Sequence, residues 1–464
     1  MSVLIKQGTI VTSVNEYVAD IYVEDEKIAA IGNDLNIEAN DVFDARGLYV
    51  LPGGVDQHTH FNFTYKTATV RGFETSNAAL LGGTTTIVDF ANQQSGKSMK
   101  ESIQKYMEEK VVEKAMCDYG FHGVVFDANE SLFKEIPTLP ENGIPTLKLF
   151  MAYKGMPYHC KDDSVFRALL AAKESGVTIM VHAENAEMID VLQKKCLREG
   201  KVEPKYHAVS RPPVVEAECT QRAIMLATAA EAPIFVVHVT CREAMEAIRD
   251  AYMAGIPAFG ETCTHYLTLD VANLTKPHFE GAKYVCSPAL RSSEHREALW
   301  QAVKKGWLKC VSSDHCGFDW AVQKHLGKDD FTTIPNGAPG LQDRLAVLWT
   351  SGVATGRISR QKFVDLWATA PAKINGLFPK KGIIDIGSDA DIVLFDPECK
   401  GVITNAKSFH GVDYNSYESM EYIGEPVKVF LRGKLTVDAG KFIGKKGQGE
   451  FVKGKAFGLC YEEK

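Results

Sequence analysis

The sequence lacks several features that would mark it as other than a globular enzyme. Its eleven cysteines run from Cys117 to Cys460 without a C-x-x-C pair, so neither a thiolate zinc site nor a disulfide framework is indicated, and a reducing cytoplasm fits. Basic residues are not in excess. With 52 Lys and Arg against 59 Asp and Glu, the net charge is −7, which argues against nucleic acid as a partner, because phosphate binding needs clustered positive charge. No apolar run reaches the about 18 residues needed to span a bilayer. The opening MSVLIKQGTIVTSVNEY carries no basic leader, long apolar stretch or small-residue cleavage site. A cytoplasmic protein with no membrane attachment is expected. Low-complexity tracts are also missing, and the 38 Gly and 18 Pro are dispersed, which excludes a disordered scaffold.

What is present is length and pattern. A chain of 464 residues exceeds one small module and predicts one large domain with a smaller companion. Short alternating segments separated by turn residues occupy both ends: SVLIKQGTIVT, DIYVEDEKIAAIG and VFDARGLYVLPG at the start, GSDADIVLFDP and VKVFLRGKLTVDAGKF near the finish. Reversals are expected at Asp25-Glu26, Arg432-Gly433 and Ala439-Gly440. Neither end is long enough to bury a core alone, so residues 1–52 and 379–464 are predicted to fold together as a small β-sandwich. Residues 53–378 form the large domain between them.

That central region repeats a short apolar strand followed by a helical segment, the pattern of parallel βα units. Eight strand candidates span 55–60, 84–90, 119–125, 146–151, 177–183, 232–240, 256–263 and 310–315. Helices are expected to open at Ser164 and after Cys241. The long stretch from Tyr266 to Leu308 carries an inserted loop and helix. The prediction is an α/β fold, a (β/α)₈ TIM-like barrel.

In such barrels, reactive groups cluster at the C-terminal ends of the strands. There the sequence places His58 and His60 on the first strand, Lys148 within the fourth, His182 ending the fifth, His238 ending the sixth and Asp314 ending the eighth. Positions 58 and 60 share a face of their strand, so two imidazoles can reach one metal. Singly, each histidine would pass for a hydrogen-bonded core residue. Four of them with an aspartate at one barrel mouth suit zinc or a similar ion.

Lys148 is the odd residue. In TLKLFM the inward face would carry Thr146, Lys148 and Phe150, and a buried ammonium is costly enough to favour the neutral amine. A neutral amine can react with carbon dioxide to give a carbamate, an anion able to bridge two cations. The alternative is an ammonium paired with Asp89 or another carboxylate.

GGVDQHTH, GGTTTIVDF, TLKLFMAY, VHAEN, VVHVT, SSDHCGF and PNGAPG, in this order, resemble the motifs of the cyclic amidohydrolases, in the hydantoinase and dihydropyrimidinase branch, above all its phenylhydantoinase-like members. The resemblance covers essentially the whole chain. It implies two divalent metal ions, usually zinc, with His58, His60, Asp314 and a carboxylated Lys148 (N6-carboxylysine) around one, and the bridging carbamate with His182 and His238 around the other. It further implies that Tyr153, Ser287 and Asn336 contact substrate, the last two mainly through their backbones. A hydroxide generated between the ions would attack a cyclic amide. Asp314 would move its proton to the leaving nitrogen, and Tyr153 would donate to the oxyanion. Relatives commonly form homotetramers, and the C-terminal tail could serve a subunit contact.

The expected substrate is a small neutral cyclic ureide, a hydantoin or dihydropyrimidine opened to an N-carbamoyl amino acid. Dihydroorotase-type relatives carry an arginine two residues after the H-x-H pair, where this chain has Asn62, which disfavours an anionic ring. Phe61, Phe63, Tyr65, Tyr153 and Tyr158 could line a pocket for an aryl substituent, or pack the loops. Arg71 and the segment around Gly96 are weaker candidates for shaping that pocket. His122 and His265 are expected to be structural, His315 and Cys316 to lie behind or beside the pocket, and Asp89 to orient a ligand. Two other readings remain at this point: an allantoinase-like or purine-ring hydrolase, and a non-catalytic scaffold of the collapsin response mediator type, which lacks the ligand set seen here.

Overall fold

The structure is a computed structural model, and it describes residues 2–456. The two chain ends build one nine-stranded mixed sheet. Its order runs from Lys441–Phe442 and Lys434–Asp438 through Glu421–Leu431, Ile392–Val402 and Tyr49–Pro52 to Ser2–Val11, Glu16–Glu24 and Lys27–Gly32, with Asp41–Asp44 beside Ser2–Val11. The halves meet where Tyr49–Pro52 pairs antiparallel with Ile392–Val402. The sheet curls back on itself, Ile28 N–H donating to the Ser388 carbonyl at 3.1 Å. Ile5, Ile10, Ile21, Ile392, Leu394 and Phe430 fill its core. The three expected reversals are two-residue turns with both residues at positive φ, 47° and 69° at Asp25-Glu26, 46° and 73° at Arg432-Gly433, 48° and 72° at Ala439-Gly440. This is the turn geometry that matches strand twist in hairpins.

The eight predicted barrel strands all form, as Gly54–Thr59, Thr84–Asn92, Asp118–Val124, Thr146–Phe150, Thr178–His182, Ile234–Val236, Ala258–Cys263 and Cys310–Ser312. They lie parallel in chain order. The ring closes between the last and the first, His60 N–H donating to the His315 carbonyl at 2.8 Å. Two predicted strands are shorter than the sequence suggests. The sixth stops at Val236 and the eighth at Ser312, because His238 and Asp314 turn into the left-handed region, with φ of 41° and 47°. The helix expected at Ser164 begins earlier, as Asp162–Ala172, since extended Lys161 precedes two acids that favour a helix N-terminus. The expected insertion after the seventh strand contains Thr264–Thr268 and Ser293–Lys305 as helices.

The N-terminal end of the barrel is plugged. Val452 packs with Val55, Val88, Ala372 and Leu377, and its N–H donates to the Tyr119 carbonyl at 2.8 Å. Thus much of the tail considered above as a subunit contact is used within the chain, and residues 457–464 lie outside the described part. Beside the plug, Lys381 meets Asp118, Asp391 and Asp389 at 2.5, 2.8 and 2.9 Å, and Arg432 also pairs with Asp118. This buried charge knot ties the sheet to the barrel and leaves the opposite mouth free for chemistry.

Candidate metal centre and active site

At the C-terminal mouth the structure brings together all six residues singled out as metal ligands. His58 and His60 present Nε2 at 3.2 and 3.3 Å from the same Asp314 oxygen, Oδ1. The His58 and His238 rings lie 5.3 Å apart, and those of His182 and His238 4.5 Å. Lys148 lines the same pocket. The left-handed backbone at His238 and Asp314, and also at Tyr153 with φ of 64°, is unfavourable for residues with a Cβ. Such strain gathers at sites where the surrounding fold fixes a side chain for function.

The electrostatics of this mouth are unusual. Lys148 Nζ, His58 Nε2 and His238 Nδ1 are buried without a hydrogen-bond partner. Burial lowers the imidazole pKa of His58 and His238 well below its ordinary value, and draws the Lys148 amine down to about 7 against the pull of Asp314 and Glu261. At Asp314 burial acts to raise the pKa, but the imidazoles of His58 and His60 outweigh it and hold the carboxyl below the usual carboxylate range. Neutral imidazoles, a neutral amine and an ionised carboxylate are the protonation states a divalent cation requires of its ligands. Orphaned buried polar atoms cost free energy that such a cation would offset. The donor set therefore fits a first-row divalent metal.

Asp89 is neither the partner of Lys148 nor an orienter of a ligand side chain. It accepts from Phe61 N–H at 2.9 Å, Thr59 Oγ1 at 3.1 Å and Tyr106 Oη at 2.8 Å, and so fixes the backbone on either side of His60. Glu261 and Glu184 take the orienting role instead. Glu261 sits 2.6 Å from His58 Nδ1 and Glu184 2.7 Å from His182 Nε2, both fully buried. Backing His58 at Nδ1 and His182 at Nε2 leaves opposite ring nitrogens for a ligand, with the tautomer set by the carboxylate. Sequence reasoning missed both, although an acid inside the apolar strand IPAFGETC is the same signal that drew attention to Lys148.

Tyr153, Ser287 and Asn336 line the pocket with the ligand set. Burial raises the Tyr153 phenol well above its ordinary pKa, and its hydroxyl lies by Ser287. Of the aromatics, Phe63, Tyr65, Tyr153 and Tyr158 face the pocket, whereas Phe61 packs on Phe73 with ring centroids 4.8 Å apart. Arg71 is engaged elsewhere, with Asp319 and the Gly411 carbonyl, and Gly96 is absent from the pocket wall. His122 bridges Thr146 and the Gln57 carbonyl as a structural residue. His265 groups with Cys263 and Asp314. Burial pushes the Cys263 thiol far above its ordinary value, which keeps it a neutral thiol in the metal-free protein. His315 Nδ1 accepts from Gly340 N–H at 3.3 Å behind the pocket, and Cys316 lines it.

An eight-stranded barrel with histidines, an aspartate and a lysine converging at its C-terminal mouth defines a metal-dependent hydrolase architecture. The sequence model of the amidohydrolase family matches residues 49–436, and the chain belongs to that family. It is 46% identical over 461 residues to the D-hydantoinase of Geobacillus stearothermophilus, covering 99% of this chain and 98% of that protein. To a D-phenylhydantoinase of Escherichia coli (strain SE11) it is 36% identical over 462 residues, 98% and 99% of the two chains. The crystal structure of dihydropyrimidinase from Brevibacillus agri NCHU1002 superposes with a TM-score of 0.96 at 45% identity, covering 98% and 99%.

Proposed function

We propose that this chain is a binuclear metal-dependent cyclic amidohydrolase that opens 5-substituted hydantoins, aryl-substituted ones included, and dihydropyrimidines to N-carbamoyl amino acids. The observation that carries the reading is the trio of buried nitrogens without a hydrogen-bond partner, on Lys148, His58 and His238, around an ionised Asp314. His58, His60 and Asp314 would hold one ion, His182 and His238 the other, and Lys148, carboxylated by CO₂, would bridge them. Zinc suits this mixture of imidazole and oxygen ligands.

Bound there, the divalent ions would supply Lewis acidity and lower the pKa of an attacking water from about 15.7 toward neutrality. The side chains perform the remaining tasks. Asp314, ionised at neutral pH, takes the proton of the attacking water on its carboxylate and passes it to the ring nitrogen as the C–O bond forms and the C–N bond breaks. Tyr153, kept protonated by burial, donates its O–H to the oxyanion of the attacked carbonyl. Main-chain groups of Ser287 and Asn336 orient the ureide. Phe63, Tyr65 and Tyr158 provide an apolar wall suited to a ring substituent and exclude water from it.

The full ligand set argues against a non-catalytic scaffold, and relatives named for hydantoins and dihydropyrimidines argue against an allantoinase. Among the described residues no helix is long and apolar enough to cross a membrane. The ten described cysteines are all free, which supports a cytoplasmic site of action. A homotetramer is the proposed assembly, checked by light scattering. The activity is tested with a panel of 5-phenylhydantoin, hydantoin, dihydrouracil, allantoin and dihydroorotate. Turnover should be led by 5-phenylhydantoin, and hydrolysis of allantoin or dihydroorotate alone would overturn the reading.

A further inference from the structure

Lys324 is a third buried lysine, outside the ligand set and the charge knot. It starts the short helical turn Lys324–Gly327 in the segment after the eighth strand, and its side chain is inaccessible to solvent. Burial works against its charge, and its ammonium contacts no carboxylate among the described residues. It donates instead to three main-chain carbonyls, of Val285 at 2.9 Å, Pro335 at 2.7 Å and Gly337 at 2.6 Å. An ammonium has three N–H donors, so its capacity is filled.

The placement of these carbonyls is informative. Val285 stands two residues before Ser287, and Pro335 and Gly337 flank Asn336 on either side. One further bond joins the segments, from Gly337 N–H to the Val285 carbonyl at 3.0 Å. Ser287 and Asn336 face the pocket. The N–H and C=O of Ser287 and the N–H of Asn336 make no hydrogen bond among the described residues. Main-chain groups left unused at a pocket wall are available to a ligand's own amide groups. Had the space behind them needed filling only, an apolar side chain would have done so without the cost of desolvating an ammonium.

We propose that Lys324 is a positioning residue for substrate recognition: it fixes the separation of the 285–287 and 335–337 segments so that their free main-chain groups match the alternating C=O and N–H groups of a cyclic ureide. The proposal rests on the function argued above and adds to it the device that sets which ring size fits. An ammonium held by three carbonyls makes that separation stiff, whereas the single backbone bond would let the segments part.

The test compares wild-type metal-loaded protein with Lys324→Met and Lys324→Gln, using hydantoin as the five-membered probe and dihydrouracil as the six-membered one. In either variant KM should rise by about tenfold or more for both rings, the effect of losing a charge-assisted hydrogen-bond set. Metal content and kcat should stay near wild-type values, and the hydantoin-to-dihydrouracil ratio of kcat/KM should shift. Folded variants with unchanged KM and ring preference would overturn the proposal while leaving the activity in place. Two variants that both fail to fold would do the same, by making Lys324 a prop of the fold. Wild-type protein that opens neither ring would remove the activity and this proposal together.

Discussion

The barrel buries one lysine at each end, and the two are held in opposite ways. At the N-terminal end Lys381 is surrounded by Asp391, Asp118 and Asp389. Burial acts to lower its pKa, but these carboxylates outweigh it and raise the value above that of a free lysine. At the C-terminal mouth Lys148 is equally buried but has no hydrogen-bond partner, and sits over the rings of Phe90 and Phe150 at 5.2 and 5.1 Å. The first arrangement makes the charge permanent and the nitrogen inert. The second makes the charge expensive and leaves a nucleophilic amine, which is the state that can take up CO₂. Burial alone therefore does not distinguish a structural lysine from a reactive one; the hydrogen-bond acceptors within reach do.

Substitution at the two positions should separate activity from stability. Lys148→Ala should lower kcat by more than about 10³-fold and reduce bound metal, since the proposed bridge between the ions would be lost. A short carboxylic acid should restore part of the rate. The unfolding free energy of Lys148→Met should match or exceed that of the metal-free wild type, because a buried amine without a hydrogen-bond partner is replaced by an apolar side chain of similar length. Lys381→Met should do the reverse, costing about 3–5 kcal/mol of stability by leaving three carboxylates buried without their cation, with kcat per folded molecule unchanged. Denaturant unfolding and steady-state kinetics on the pair read both effects.

Smaller effects sharpen the contrast. Tyr153→Phe should reduce kcat by about 10²-fold while leaving metal content intact, the loss expected of one oxyanion donor; an unaltered kcat would make Tyr153 a packing residue. The pH dependence of stability should also differ between the ends. Lys148 has its folded pKa at about 7, below its unfolded value, so over the interval up to about 10.4 the unfolded state binds more protons and stability rises with pH. This slope should appear in metal-free wild type relative to Lys148→Met. Lys381 has its folded pKa raised, so its contribution is full below about 10.4 and is lost only as pH climbs through the folded value.

Much of this arrangement could be read from the chain because it was written locally. Apolar strands that end in His, Lys or Asp announce a barrel with a polar mouth, and Asp25-Glu26 and Arg432-Gly433 announce hairpins. What escaped depends on contacts between distant segments. Glu261 acquires its role only beside His58, 203 residues away in sequence. Lys324 lies in DWAVQKHLGKDD, a stretch whose pattern does not set it apart from a solvated loop until Val285 and Gly337 close around it. Val452 gave no periodic signal, because it adds a plug to strands already formed. The left-handed backbone at His238 and Asp314 was likewise invisible, since apolar periodicity predicts where a strand runs but not the residue at which function bends it.

The central claim is that Lys148 is a carboxylated ligand between two ions. Supplying ¹³C-labelled CO₂ to metal-loaded protein, with metal quantified on the same sample, tests it most directly. The account predicts about two divalent ions per chain and a ¹³C carbamate resonance that is absent from Lys148→Ala. Fully active protein that holds no divalent ion, or that shows no carbamate resonance, would contradict it.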